Sequence, residues 1–138
     1  QLNHPHIVSV YDVGHEDGTY YYSMEYIEGG SLEDRLREEG QVSPEDALEM
    51  LHQAAMALEY AESRHIVHRD IKPANLMVTT EGELKIADFG IAATMADSLS
   101  RSSMRNVISG TATYMRPRRL SGETPCANEE IYGMGESI

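Results

Sequence analysis

Two short stretches near the start of the chain have the residues of β-strands: the first alternates apolar and polar residues, and the second begins with three tyrosines. The first stretch covers residues 7–13 and the second covers residues 20–24. Residues 14–18, rich in glycine and charged residues, separate them and supply the turn. The pattern therefore predicts a β-hairpin. Gly29 and Gly30 follow as a flexible joint between these strands and a helical region.

Two helices are predicted after this joint. Ser31 can cap a short helix over residues 32–39, which a glycine ends. Ser43, followed by a proline and two acidic residues, is a strong start signal for a longer helix that runs to about residue 63. Its apolar residues recur at steps of three and four, and this stripe is expected to face the core: Ala47, Leu48, Leu51, Ala54, Ala55, Leu58 and Ala61.

A second hairpin is predicted by two short apolar runs, residues 76–78 and residues 84–86. If its turn lies at residues 81–82, Asn75 and Asp88 are equally far from the turn and lie at the same end of the hairpin. An amide oxygen and a carboxylate are hard ligands that suit Mg²⁺, which shares its coordination shell with water and substrate phosphates. The sequence therefore indicates a candidate magnesium site at this end.

The composition limits the classes of protein to which the chain can belong. With 138 residues, of which 41% are hydrophobic, the chain is long enough for one domain at most. Its 23 acidic residues outnumber the 11 Lys and Arg residues, so the net charge is −12 with neutral histidines. This is the wrong sign for a surface that binds phosphate backbones, and nucleic-acid binding is not expected.

Cysteine content and hydropathy bear on location. The single cysteine, Cys126, can form neither an internal disulfide nor a thiolate metal site, which favours a reducing, cytoplasmic location. No apolar run approaches the roughly 20 residues needed to cross a bilayer. Because Gln1 is not an initiator methionine and Ile138 ends the chain without a helix stop signal, we interpret the chain as a piece of a longer protein. A membrane tether could lie outside this piece.

One loop combines three kinds of chemically useful groups. Residues 68–75 read His-Arg-Asp-Ile-Lys-Pro-Ala-Asn. Within them, the Asp70 carboxylate can accept a proton, the Lys72 ammonium can face a phosphoryl group, and Asn75 can bind a metal ion. The loop and the hairpin after it therefore predict chemistry on a phosphorylated substrate.

These residues resemble two motifs of eukaryotic-type protein kinases. Residues 68–75 resemble the catalytic loop, H-R-D-x-x-x-x-N, and Asp88-Phe89-Gly90 resembles the D-F-G metal motif. The order of the two motifs, their spacing and the hairpin between them also agree. The lysine in the form H-R-D-x-K-P-x-N resembles the serine/threonine branch, and the residues that follow it are similar to those of bacterial members.

The resemblance implies an α+β, protein-kinase-like fold, of which the chain would form one part. Residues 1–28 would supply two strands of the smaller N-terminal lobe and the hinge. Residues 29–138 would supply the first part of the mainly helical C-terminal lobe, with the catalytic loop, the metal motif and the activation segment. The ATP cleft would lie between the two lobes.

The resemblance also assigns roles to single residues. Asp70 would orient and deprotonate the attacking Ser or Thr hydroxyl of a protein substrate, while Lys72 would neutralise charge on the phosphoryl group transferred from ATP. Asn75 and Asp88 would hold Mg²⁺. Thr111, where the activation loop joins the peptide-binding floor, would contact the catalytic Asp and Lys. The implied activity is that of a serine/threonine protein kinase with ATP and Mg²⁺ as cofactors.

Further residues resemble the nucleotide cleft of these kinases. Met24 would guard the back of the adenine pocket, the backbone of Glu25 and Ile27 would bind adenine, and Met77 would form the floor. His68 would be a structural histidine packed beneath the metal motif, without a role in proton transfer.

A regulatory contact is implied by the arginine of the catalytic loop. Arg69 precedes the catalytic Asp, an arrangement in which a phosphate on the activation loop pairs with the guanidinium group and orders the loop. Residues 94–105 show no usable periodicity and predict a long loop. Three serines in this loop are candidate phosphorylation sites: Ser100, Ser102 and Ser103.

The chain also departs from the kinase pattern. Residues 1–71 contain no lysine and no G-x-G-x-x-G motif, so the strand lysine and the loop that cover ATP phosphates would lie upstream, and the chain alone is expected to be inactive. Arg118 stands where the family has a Glu in a buried ion pair, and a like-charge contact there would be costly. Glu130 replaces an Asp that receives hydrogen bonds from the catalytic loop.

Three interpretations remain open. The parent protein could be an active kinase with compensating changes elsewhere, a pseudokinase-like fold retained as a regulatory or binding module, or the product of a damaged gene end. The intact set of catalytic and metal-binding residues favours an active kinase, because a domain without activity need not keep that set together. Arg118 and Glu130 are expected to affect contacts that support the catalytic loop rather than the groups that carry out its chemistry.

Overall fold

The structure is a computed structural model that describes residues 2–89 and residue 134. Within these residues, an antiparallel hairpin comes first along the chain, two helices follow it, and a second antiparallel hairpin comes last. In chain order the elements are β1 (Val10–Glu16), β2 (Thr19–Met24), α1 (Leu32–Glu39), α2 (Pro44–Ser63), a 3₁₀ turn (Pro73–Asn75), β3 (Leu76–Val78) and β4 (Leu84–Ile86). No described helix is both long enough and apolar enough to span a membrane.

The first hairpin has a tighter turn than the sequence pattern predicts. Glu16 pairs with Thr19, and Asp17 and Gly18 between them have φ angles of 48° and 80°. Two consecutive residues in the left-handed region are typical of a type I′ turn, which matches the twist of the flanking strands. Because this turn needs only two residues, residues 14–16, expected in the turn, continue β1 instead.

The apolar residues at the start of the first predicted strand belong to the other hairpin. Ile7 forms a parallel bridge with Ile86 of β4. The Val8 N–H donates to the Ile86 carbonyl at 2.9 Å, and the Ile86 N–H donates to the His6 carbonyl, also at 2.9 Å. The prediction that residues 7–13 form one strand of the first hairpin is therefore wrong for its first residues. These pair with β4 of the second hairpin and are buried there.

Both helices begin at the predicted caps. The Ser31 hydroxyl accepts from the Asp34 N–H at 3.1 Å, and the Ser43 hydroxyl accepts from the Asp46 N–H at the same distance. Each bond satisfies a backbone donor that has no partner within the helix. Gly40 ends α1 with a φ of 82°, as expected for a C-terminal glycine.

The buried face of α2 differs from the predicted stripe. Leu48 is 71% exposed and Leu51 is 37% exposed among the described residues, so the prediction that they face the core is wrong, as it is for Ala55. The residues that α2 buries are Met50, Gln53, Ala54, Ala57 and Ala61. The predicted stripe is correct at Ala54 and Ala61. It did not include Gln53, a polar residue that is buried because it bonds to β4.

Gln53 connects α2 to the second hairpin. Its side chain is 8% exposed, its Oε1 accepts from the Leu84 N–H at 2.6 Å, and its Nε2 donates to Glu49 Oε1 at 2.8 Å. The amide therefore satisfies a backbone donor of β4 from the helix side. This contact holds the hairpin against the face of α2 that carries the alanines.

The main core lies between the two helices and the second hairpin. Its largest fully buried side chains are Phe89, Ile7, Leu32, Met50, Leu76, Leu84 and Ile86. Met134, from the distal part of the chain, joins the same cluster. A smaller cluster of Val8, Ile27 and Ala87, with Met77 packed against it, lies beside the joint after β2.

The joint at Gly29 and Gly30 is packed against β3 rather than free. The Val78 N–H donates to the Gly30 carbonyl at 2.9 Å. Ser31 forms an isolated antiparallel β-bridge with Met77. A Cβ atom on Gly29 would overlap the Val78 carbonyl oxygen. The joint therefore lies in close backbone contact with β3, between β2 and α1.

We predict that Gly29→Ala lowers the free energy of unfolding by about 1–3 kcal/mol, because the new methyl group must displace the backbone of β3. Urea denaturation of the chain measures the change. Glu28→Ala adds no atoms at the neighbouring exposed position and serves as the control. Equal stabilities of the two variants would contradict the account of a tightly packed joint.

Candidate active site

The loop of residues 68–75 gathers three of the predicted site residues. Lys72 Nζ lies 3.3 Å from Asp70 Oδ2, and Asn75 Nδ2 donates to the Asp70 carbonyl oxygen at 2.8 Å. A longer contact of 3.5 Å joins the same amide nitrogen to Asp70 Oδ2. The side chains of Asp70 and Lys72 are 31% and 28% exposed, so both can reach a substrate from an anchored loop.

Alternating burial explains why this loop presents its polar groups outward. Ile71, between the two charged residues, is 4% exposed, and Pro73 is also buried. The turn that follows is closed by the Asn75 N–H, which donates to the Lys72 carbonyl at 2.9 Å. Arg69 has a φ of 77°, a left-handed conformation that reverses the chain just before the Asp70 carboxylate.

His68 anchors the loop from below. Its side chain is 2% exposed and lies edge-on to the Phe89 ring, with 4.7 Å between ring centroids. Because its Nδ1 accepts from the Asp70 N–H at 3.1 Å, the ring proton lies on Nε2, which donates to the Ala87 carbonyl at 2.6 Å. Burial lowers the pKa of His68, so the ring is neutral. The expectation of a structural histidine packed against the metal motif is confirmed.

The second hairpin brings Asp88 to the end at which Asn75 lies. Leu76 pairs with Ile86, and the Ala87 N–H donates to the Asn75 carbonyl at 2.8 Å, so the pairing continues to the last residue before Asp88. Asp88 has a φ of 67°. Such a conformation is uncommon for a residue with a side chain and persists where surrounding contacts fix it, often at functional sites.

The donor set at this end fits a magnesium ion. The amide nitrogen of Asn75 donates to Asp70, so the amide oxygen is the atom that could bind a cation, and Asp88 offers a carboxylate. Among residues 2–89 and 134, no group of three or more His, Cys, Asp or Glu side chains could hold a metal ion on its own. A cation bound here would complete its shell with water and phosphate oxygens, as Mg²⁺ does in proteins.

Tyr22 is a contact of this site that sequence reasoning missed. Its hydroxyl donates to Asp88 Oδ1 at 2.8 Å across 66 residues of sequence. Burial, the hydrogen bond and the negative charge of Asp88 raise the pKa of Tyr22 to about 12, so the hydroxyl keeps its proton. The available signal was strand alternation, which places Tyr22 on the same face of β2 as Met24.

The predicted nucleotide residues lie around the joint after β2. Met24 ends β2 and is 39% exposed, whereas Ile27 is buried beside the half-buried Met77. The Glu25 N–H donates to the Ser9 carbonyl at 2.8 Å. The Ile27 carbonyl accepts from the N–H of the second joint glycine at 3.4 Å. The Glu25 carbonyl and the Ile27 N–H are thus the groups that could bind a base.

Glu25 also forms an ion pair with the second hairpin. Its Oε1 lies 2.6 Å from Lys85 Nζ, with side chains 25% and 17% exposed, and its Oε2 accepts from the Ser9 N–H at 3.3 Å. The hydrogen bond from Lys85 lowers the pKa of Glu25, assisted by the Ser9 N–H and opposed by desolvation. The pair connects the segment after β2 to β4.

Several predicted site residues lie outside the described part of the chain. These are Thr111, the candidate phosphorylation sites Ser100, Ser102 and Ser103, and the two departures Arg118 and Glu130. Arg69, the predicted partner of a loop phosphate, lies within the described residues and is half-buried.

Comparison with known proteins gives one consistent result. A family model described as "Protein kinase domain" matches residues 1–138. Serine/threonine-protein kinase PknB of Mycobacterium leprae is 39% identical over 138 residues, which cover 97% of the chain and 22% of that protein. The probable serine/threonine-protein kinase SCO3848 of Streptomyces coelicolor is 43% identical, and PrkC of Bacillus subtilis is 37% identical; each match covers 97% of the chain and 20% of the relative. The chain thus spans about a fifth of these relatives.

We predict that Glu25→Gln lowers the free energy of unfolding by about 1–2 kcal/mol at neutral pH, because Lys85 loses a charged acceptor in a partly buried site. The pKa of Glu25 is lower in the folded chain than its ordinary value of 4.5, so the stabilisation is present above that value. It is lost as pH falls through the folded pKa. The difference in the free energy of unfolding between the unmodified chain and Glu25→Gln should therefore be smaller in acid.

Denaturation curves at neutral pH and near pH 3 measure this difference. Glu28→Gln makes the same change at an exposed neighbour and should show no comparable pH-dependent loss. A Glu25→Gln deficit that is equal at both pH values would contradict the role of the ion pair.

Proposed function

The chain belongs to the protein kinase family, and we propose that the protein in which it naturally occurs, called the parent protein below, is a serine/threonine kinase. It transfers the γ-phosphoryl group of ATP to hydroxyl groups of protein substrates. The observation that carries this proposal is the convergence of Asp70, Lys72 and Asn75 in one loop, at the end of the hairpin that also carries Asp88. This arrangement supplies the groups that phosphoryl transfer requires.

Asp70 and Lys72 act on the two reacting partners. The Asp70 carboxylate accepts a hydrogen bond from the substrate hydroxyl, orients it and takes its proton. Lys72, 3.3 Å from that carboxylate, offers positive charge to the phosphoryl group as it moves. Asn75 holds the backbone carbonyl of Asp70 through its amide nitrogen and so fixes where the carboxylate stands.

Asn75 and Asp88 would hold Mg²⁺, which neutralises charge on the phosphate oxygens when it is bound. The protein contributes mainly by positioning, because little covalent chemistry falls to its side chains in this reaction. The hairpin register and the left-handed backbone at Asp88 serve this purpose.

The adenine ring of ATP would bind at the joint after β2. The Glu25 carbonyl and the Ile27 N–H face it as acceptor and donor, Met77 forms the floor and Met24 closes the back. The half-buried Met77 beside the buried Ile27 supports this placement, because ligand sites combine apolar walls with a few directed polar groups.

Other assigned residues would contact the catalytic groups or regulate the activation segment. Thr111 would contact the catalytic Asp and Lys from the activation segment. Arg69 would pair with a phosphate placed on Ser100, Ser102 or Ser103 and order that segment. The single cysteine fits a reducing location, and we assign the kinase portion to the cytoplasm.

A binding module without activity is the second candidate. The observation that favours it is Arg118, whose charge is opposite to that of the family's Glu at that position. Such a module would bind its partner without Mg²⁺ and ATP and would transfer no phosphate under any activating condition. The complete set of catalytic groups in the described loop favours the kinase.

We predict that Asp70→Asn in the parent protein lowers kcat by about 10²–10⁴-fold, because the amide cannot accept the substrate proton, while ATP affinity stays nearly unchanged. Transfer of radiolabel from γ-labelled ATP to protein and equilibrium binding of ATP measure the two quantities. Asp17→Asn, in the exposed turn of the first hairpin, is the matched control and should retain activity. Unchanged turnover of Asp70→Asn would remove the assigned role, and an unmodified parent protein that transfers no label would favour the binding module.

A further inference from the structure

A hydrogen bond joins the first hairpin to the proposed metal site. Tyr22 lies in β2, and its hydroxyl donates to Asp88 Oδ1 at 2.8 Å. Asp88 follows β4 of the second hairpin. No strand pairing joins β2 to β4, so this contact links the candidate metal ligand directly to the other hairpin.

The position of Tyr22 within β2 directs it toward the site. Tyr22 pairs with Val13 of β1, and Met24 pairs with Val10. Alternate residues of a strand share one face, so Tyr22 and Met24 lie on the same side of β2, whereas Tyr21 lies on the other. The hydroxyl therefore reaches Asp88 from the face that also bears the residue proposed for the back of the adenine pocket.

The chemistry of the contact leaves room for a cation. An ionised carboxylate accepts hydrogen bonds at both oxygens, with about four lone-pair positions in total. The phenol uses one position on Oδ1, which leaves Oδ2 and the rest of Oδ1 for ligation. A bond of this kind limits rotation of the side chain, and carboxylates that bind metals are commonly oriented by such hydrogen bonds from neighbours.

We propose that Tyr22 is a positioning residue that orients the Asp88 carboxylate toward the divalent cation. This inference rests on the proposed function, in which Asp88 binds the metal. It adds that β2 contributes to metal affinity through a side chain that acts on Asp88. Tyr22 is 37% exposed, so its hydroxyl can be removed without opening a closed core.

The test is Tyr22→Phe in the parent protein, with Mn²⁺ as the probe. Electron paramagnetic resonance measures Mn²⁺ binding in the presence of a non-hydrolysable ATP analogue. Loss of the hydroxyl should weaken Mn²⁺ affinity about tenfold, the lower end of the effects seen when such supporting hydrogen bonds are removed. Affinity for the analogue without metal should stay unchanged.

Kinetics give a second measurement that separates positioning from a structural defect. In Tyr22→Phe, the Mg²⁺ concentration for half-maximal rate should rise by the same factor of about ten. At saturating Mg²⁺, kcat should return to about the unmodified value, because the reacting groups are intact. A general loss of folding would lower kcat at every Mg²⁺ concentration, and that result would overturn the proposal.

Tyr21→Phe is the matched control, since it removes a hydroxyl from the adjacent residue on the opposite face of β2. It should leave Mn²⁺ affinity unchanged. Equal loss in both variants, or unchanged or tighter Mn²⁺ binding in Tyr22→Phe, would overturn the positioning role.

Asp88→Asn separates this inference from the proposed function. If Asp88→Asn weakens Mn²⁺ binding and Tyr22→Phe does not, only the role of Tyr22 is wrong. If Asp88→Asn also leaves Mn²⁺ affinity unchanged, the proposed metal role fails and the inference fails with it. Adding Tyr22→Phe to Asp88→Asn should produce no further loss, because Tyr22 acts through Asp88; an additive loss would contradict this.

Discussion

The antiparallel pairing of β3 with β4 determines where the candidate metal ligands lie. Leu76, Leu84 and Ile86 are completely buried, so the hairpin has one apolar side that must face the core. A shift of the pairing by one residue would turn these side chains outward, and the register is therefore strongly specified. Since Asn75 directly precedes β3 and Asp88 follows β4 by two residues, the same register brings both to one end.

Contacts around this hairpin hold the other proposed site residues near the two candidate metal ligands. The neutral, buried His68 holds the proposed catalytic loop to the chain after β4, and its ring packs on Phe89 next to Asp88. On the other side, the close approach of Gly29 to β3 fixes the segment proposed to bind adenine. The proposed catalytic groups, metal ligands and nucleotide contacts are thus all positioned against one short hairpin.

Local signals in the sequence predicted much of this arrangement. Both caps, both hairpins and the shared end of Asn75 and Asp88 follow from spacing and residue type, because turns, caps and strand pairing depend on neighbouring residues. Pairing between distant segments was not visible: Ile7 matches the alternation of a strand, yet its partner is Ile86. The buried face of α2 was predicted only in part, at Ala54 and Ala61, because the side of the helix that packs against β4 cannot be read from local spacing. Tyr22 was missed because strand alternation indicates the face on which it lies but not its hydrogen-bond partner 66 residues away.

Nuclear magnetic resonance of the parent protein with Mn²⁺ and a non-hydrolysable ATP analogue tests the central claim most directly. The paramagnetic ion broadens signals of nuclei close to it, so it reports which end of the β3–β4 hairpin holds the cation. The account predicts strong broadening of the Asn75 side-chain amide and the Asp88 backbone amide, while Gly82 at the turn keeps its signal. Broadening at Gly82 with sharp signals from Asn75 and Asp88 would contradict it.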